Sequence, residues 1–193
     1  IRLSLVGSEM CIRDRIPEEL TYKAGSSQTL RAALGEALNY LNKKSGGGIF
    51  AASADLIGST SINIAADGFP EGFFNAATNP GARLLSIGGI CEDAIGGVMA
   101  GISTYGCHIG AGSSYGAFIA ALQHITARLH GIGQQMKHEY NGEPFHPWLL
   151  VCAHAGLKTG EDGPTHADPQ ALQLLQENFP QGIICLLYTS PSP

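Results

Sequence analysis

The run Trp148-Leu149-Leu150-Val151-Cys152-Ala153 has no charged or amide-bearing position, and no other stretch narrows the possible folds as far. A strand with one wet face alternates apolar and polar residues, whereas a short uninterrupted apolar run is covered on both faces, as in parallel sheets flanked by helices. Pro147 introduces this run, and a second run, Ile49-Phe50-Ala51-Ala52, has the same character. Between Gln28 and Lys44 the apolar residues Leu30, Ala33, Leu34, Ala37, Leu38 and Leu41 recur at helical spacing, with Ser26 and Ser27 as candidate N-caps and Ser45-Gly46-Gly47-Gly48 as the stop. Leu84 to Ile87, ended by Gly88-Gly89, is expected to be a further strand, and Asp93 to Tyr105 a helix whose glycines imply close backbone neighbours. A helix is expected from about Ser113 to His130, with Phe118, Ile119, Leu122, Ile125 and Leu129 as its apolar stripe. Another is expected from Gln170 to Asn178, with Pro169 at its first position. Strands alternating with helices predict an α/β fold with a parallel sheet.

In such sheets ligands bind beyond the carboxyl ends of the strands. The segment that follows Ala153 runs from His154 to His166 and contains Glu161 and Asp162, so polar-substrate chemistry is one reading of it. The other is a turn in which Asp162-Gly163-Pro164 only reverses the chain. Glu92 and Asp93 open the small-residue helix after the strand at 84–87, where helix capping and catalysis both account for a carboxylate. Phe118 falls on an apolar stripe and reads equally as a core residue or as a stacking surface. His124, His130, His138 and His146 lack the spacing of tetrahedral ligand pairs, and Cys91, Cys107 and Cys152 lack paired spacing, so neither a zinc site nor a disulfide framework is expected.

Leu5 to Asp14 and Cys185 to Pro193 can be encoded by opposite strands of one DNA segment similar to a transposase-type sequencing adapter. Residues 1–15 and 185–193 are therefore read as adapter-derived and non-native, with 16–184 as one domain of a longer protein. Of 11 basic and 16 acidic residues, three arginines and two acids lie in those ends, leaving 8 and 14. An excess of acid argues against nucleic acid as a partner. No apolar stretch approaches the roughly 18 residues of a membrane span, and no export signal is evident, so a cytoplasmic enzyme domain is expected.

Gly160-Glu161-Asp162-Gly163-Pro164-Thr165-His166, with His154 upstream, resembles the substrate loop in the pyrimidine-binding domain of the transketolase family. Ser53-Ala54-Asp55-Leu56, Thr29-Leu30-Arg31 and the segment around Glu92 resemble that family at matching spacing. The resemblance implies a three-layer, thiamine-diphosphate-binding α/β domain. It implies that Glu92 hydrogen-bonds N1′ of the cofactor's aminopyrimidine, that Phe118 stacks on that ring with help from Tyr115, and that Asp55 belongs to the cofactor site. It further implies sugar-phosphate contacts from Arg31, Ser59, His154, Asp162 and His166, with His154 also catalytic. The implied activity is transfer of a two-carbon ketol unit from a ketose phosphate to an aldose phosphate. Mg2+ and the cofactor's diphosphate would be held by a domain absent from this chain, and the parent would be a homodimer, so the chain alone is expected to lack turnover. Cys91, Asp93 and Ile95 depart from the family pattern around the glutamate. The alternatives are another thiamine-diphosphate enzyme, such as deoxyxylulose-phosphate synthase or a 2-oxoacid dehydrogenase component, or a non-catalytic module that retains the fold.

Overall fold

The computed structural model describes residues 16–122, 124–125, 131–153 and 163–166. The helix expected at 170–178, His154, Asp162 and both terminal segments lie outside these residues. Three parallel strands, β1 (Ile49–Ser53), β2 (Ile109–Tyr115) and β3 (Leu149–Ala153), form one sheet in the order β1-β2-β3. Ile49 pairs with Ile109 and Ser53 with Ser113, while Ala111 pairs with Leu149 and Tyr115 with Ala153. All three strands therefore end at the same edge of the sheet.

Both faces are covered, as the unbroken apolar run requires. On one face Ile49, Ala51 and Ala111 pack with Leu38 of helix α1 (Leu30–Lys44) and with Ile62 and Ala65 of a short 3-10 helix at Ile62–Ala66. On the other, Ala52 packs with Ile95 and Met99 of helix α2 (Glu92–Tyr105). Leu150 and Cys152 meet Ile119, Leu122 and Ile125 on that face as well. The resulting architecture is a three-layer α/β fold.

Helix α1 is capped by Thr29, whose hydroxyl accepts from the Ala32 amide at 3.4 Å, and not by Ser26 or Ser27. Its fully buried Asn42 joins three pieces of backbone. The side-chain amide donates to the carbonyls of Ile49 at 3.1 Å and Ala65 at 2.8 Å, and its oxygen accepts from the Ile49 amide at 2.8 Å. One side chain thus ties the end of α1 to the start of β1 and to the 3-10 helix beyond it.

Residues 109–115 are a strand, not the beginning of a helix, and 116–122 continue as a 3-10 helix. The sequence Ile109-Gly110-Ala111-Gly112-Ser113-Ser114-Tyr115 has little β propensity of its own. What makes it the central strand is its lack of bulk. A Cβ on Gly110 would lie 2.6 Å from the Met99 Cα, and one on Gly112 would lie 2.7 Å from Ile95 Cγ2, so α2 rests directly on this strand. The segment expected as a strand at 84–87 contributes only isolated parallel bridges, from Leu84 to Ala51 and to Phe73, before 86, 88, 89 and 90 emerge exposed. A polar helix, α3 (Gly133–Asn141), precedes β3; only its Gln134 is buried.

Replacing Asn42 with Ala strands the Ile49 amide and removes a donor from the carbonyls of Ile49 and Ala65, the latter keeping only the longer 3.4 Å bond from the Asn39 side-chain amide. The variant should lose about 2–4 kcal/mol of stability, each stranded buried group costing ~1–3 kcal/mol. Urea midpoints compared at equal slope measure this; an Asn42→Ala chain within 0.5 kcal/mol of wild type, about the scatter of a neutral surface change, contradicts the proposed tie.

Candidate functional site

The shared carboxyl edge of the strands collects several of the expected site residues. α2 lies between β1 and β2 in the chain and begins at Glu92, so its first turn falls at this edge. Cys91 occupies the N-cap with extended backbone and makes no side-chain cap bond. Glu92 is thus free of the capping role that its position alone allowed. Instead, the Ser114 hydroxyl, one residue before the end of β2, donates to Glu92 Oε1 at 2.9 Å. Glu92 is half-buried, and Ser114 is 3% exposed.

Tyr115 is the last residue of β2 and is buried. Side chains alternate along a strand, so Ser114 and Tyr115 leave β2 on opposite faces. The ring of His166 sits edge-on to Tyr115, with centroids 5.2 Å apart at 84°, and edge-on to Phe118, 5.3 Å apart at 75°. These spacings are those of attractive edge-to-face aromatic pairs. His166 closes a 3-10 turn at Pro164–His166, and its Nδ1 shares a 3.0 Å hydrogen bond with the Thr165 hydroxyl.

Phe118 is not a core residue: it is 39% exposed, while Ile119 and Leu122 are fully buried and Ile125 is 5% exposed. The reason is the period. In a 3-10 helix, residues three apart lie above one another, so 119 and 122 form the inward row, Ile125 joins their cluster from beyond the helix, and Phe118 is turned towards His166 at the rim.

At the end of β1 the chain folds back through 53–61. The Ser53 hydroxyl donates to the Asp55 carbonyl, and an Asp55 carboxylate oxygen accepts from the Leu56 amide at 2.8 Å. Leu56 has φ of 46°, a left-handed conformation that a branched side chain rarely adopts. Asp55 and Leu56 face an open depression of about 290 Å3, bounded on its other side by Gly88, Gly89 and Ile90, the approach to Glu92. Ser59 is half-buried in the same fold-back. Beneath it the Thr60 and Ser113 hydroxyls meet at 2.9 Å, and the Ser113 carbonyl accepts from the Ala54 amide at 3.0 Å. Arg31 is exposed on the first turn of α1. None of the contacts that join Glu92 to Ser114, or His166 to Tyr115 and Phe118, involves it.

The three departures around Glu92 sort by burial. Ile95 is fully buried in the core against Met99 and Ala52, whereas Cys91 and Asp93 are exposed. Burial pushes the Cys152 thiol up to about 12, so it stays neutral and acts as packing. His108 lies at the opposite, amino end of the sheet with its ring 5.0 Å from that of Phe50. Desolvation, and then the charge of Arg83, lower its pKa. Among the described residues no three His, Cys, Asp or Glu side chains gather as a metal-binding set, and no helix is long and apolar enough to cross a membrane.

Reading the sequence missed Ser114. A serine in a strand carries no signal of its own, and only the pairing of β2 with the start of α2 reveals its partner.

This carboxyl edge can present a carboxylate to a heterocyclic nitrogen and an aromatic rim to a flat ring. Residues 26–180 match the family described as "Transketolase, pyrimidine binding domain". The chain is 31% identical over 143 residues to a protein of Methanocaldococcus jannaschii named as a putative transketolase C-terminal section; the match takes in 74% of this chain and 38% of that protein. The fold is similar to transketolase structures from Leishmania mexicana, at TM-score 0.61 and 22% identity, covering 86% of this chain and 22% of that one. It is also similar to one from Pichia stipitis, at 0.62 and 24%, covering 84% and 23%. The chain therefore spans well under half of each relative. With its parallel three-layer sheet and a carboxylate opening the helix at the sheet's carboxyl edge, it belongs to the transketolase pyrimidine-binding domain family.

Proposed function

We propose that this chain is the pyrimidine-binding part of a transketolase, with residues 16–184 as the domain and the terminal segments as additions to it. The observation that carries the reading is Glu92: a half-buried carboxylate at the sheet's carboxyl edge that is not spent on capping its helix. Its one hydrogen-bond partner among the described residues is the Ser114 hydroxyl. A carboxyl group so placed is suited to hold a proton against a ring nitrogen of an aminopyrimidine. The exposed face of Phe118, with Tyr115 and His166 behind it, suits the flat ring. The donor set therefore fits the aminopyrimidine of thiamine diphosphate. When bound, that cofactor supplies the electron sink that ketol transfer requires.

The roles left to this chain's own residues follow from their positions. Glu92 exchanges a proton with the pyrimidine. Phe118 and Tyr115 fix the ring's plane, and Asp55 borders the depression beside it. His166 is near enough to the rim to donate to a sugar phosphate, with Ser59 and Arg31 as further donors and with His154 and Asp162, close to it in sequence, as further substrate contacts. Arg31 would reach phosphate as a fork of N–H donors. No set among the described residues fits Mg2+. In the parent, Mg2+ and the diphosphate are assigned to a second domain and the site to a homodimer.

In the enzyme assembled with its diphosphate-binding section, Glu92→Ala should slow hydrogen–deuterium exchange at the cofactor's thiazolium C2 by about 100-fold or more, the range of acid–base contributions. An unchanged exchange rate would sink the assignment of Glu92. His166→Ala should lower kcat/KM for phosphosugars about tenfold or more through lost hydrogen bonding to a charged group, with cofactor affinity unchanged. Loss of cofactor affinity with intact substrate kinetics at saturation would place His166 in the cofactor site instead.

A further inference from the structure

We propose that Ser114 is the positioning residue for Glu92, holding the carboxylate so that Oε1 is occupied and Oε2 is left to meet the ring nitrogen. The inference rests on the reading of Glu92 as the pyrimidine-facing carboxylate. Adjacent serines in β2 have different work. Ser113 is fully buried and spends its hydroxyl on the Thr60 hydroxyl at 2.9 Å and the Ala52 carbonyl at 3.4 Å, a link between backbone segments. The Ser114 hydroxyl is directed instead to a carboxylate, at 2.9 Å.

Three features make this contact a positioning device. Ser114 lies in the central strand, paired with Cys152 of β3, so its backbone is fixed on a rigid element. At 3% exposure, water cannot readily replace its hydroxyl. A hydroxyl has one proton to donate, so it can satisfy only one carboxylate oxygen; among the described residues Glu92 Oε2 has no hydrogen-bond partner. The hydrogen bond selects one rotamer of a side chain that opens a helix and has no other hydrogen bond among the described residues to restrain it. Ser114 does not touch the pyrimidine in this account. It acts through Glu92.

The test compares Ser114→Ala with Ser114→Thr, which keeps a hydroxyl, in the full chain, with Glu92→Gln as reference. Infrared difference spectra of chain labelled with carboxyl-13C glutamate, referenced to Glu92→Gln, isolate the Glu92 carboxylate stretch. This band should shift in Ser114→Ala and remain in place in Ser114→Thr. Affinity for the aminopyrimidine half of thiamine should fall about fivefold in Ser114→Ala, be retained in Ser114→Thr, and show no additional Ser114→Ala loss in a Glu92→Gln background. A band unmoved by Ser114→Ala, or an undiminished Ser114→Ala affinity alongside a weakened Glu92→Gln, overturns the positioning role and leaves the Glu92 reading standing. Aminopyrimidine affinity that is absent from wild type, or unaffected by Glu92→Gln, overturns the reading of Glu92 and this inference with it. Equal denaturant midpoints for the Ala and Thr variants exclude a folding defect as the source of the difference.

Discussion

Helix α2 is seated directly on the central strand, and the fold is built around that contact. Gly110 and Gly112 present no side chains to the helix, and the backbone at Met99 and the side chain of Ile95 occupy the space that a Cβ would need. This closeness lets Ile95 and Met99 bury fully against Ala52. It also sets where the helix begins. Glu92 then stands within hydrogen-bond distance of Ser114, four residues along β2 from Gly110. A bulkier strand would lift α2 off the sheet and carry the carboxylate away from the edge.

The same strand organises the other side of the site. Because β2 is central, its last residues lie between those of β1 and β3. Ser113 secures the fold-back through Thr60 and the Ala54 amide. Tyr115, leaving the opposite face from Ser114, is where the His166 ring docks. At the far end of the sheet the chemistry is different. Arg83 stacks on Phe50 and Phe69 and donates to backbone carbonyls of Gly47, Gly81 and Ala82, which makes that end a structural clamp.

Much of this was legible in the sequence where side chains carry a signal. Continuous apolar residues gave away β1 and β3, helical spacing gave away α1, and a run of small residues opened by Glu92 gave away α2. The central strand was not legible from propensity, because Gly-Ala-Gly-Ser-Ser is strand-forming only when held between two neighbours and beneath a helix. Gly106, with φ of 92° at the end of α2, was the available clue that a helix stops there and something must return across the sheet. Expecting a helix from about Ser113, across the last three residues of β2, also blurred Phe118. On an α-helical stripe it reads as core, whereas in the 3-10 turn it belongs to the rim. Helix α3 lacks an apolar stripe, its burial resting on Gln134 alone, so no period announced it. The position of Glu92 followed from the motif; its partner did not, because Ser114 is 22 residues away in sequence and joined to it only by the crossover.

Direct contact between the α2 backbone and β2 underlies the fold and the placement of its carboxylate. The most direct test is a pair of single-methyl additions measured by equilibrium denaturation. At Gly110 a Cβ meets the Met99 backbone, while at Gly97, also associated with α2, it meets nothing within 4 Å. Overpacking should cost Gly110→Ala about 1–3 kcal/mol, and Gly97→Ala should be neutral or stabilising by up to ~1 kcal/mol from helix propensity. If Gly110→Ala is as stable as wild type, or if the two variants change by the same amount, the helix does not rest on the strand as described, and the account of how Glu92 reaches the site fails.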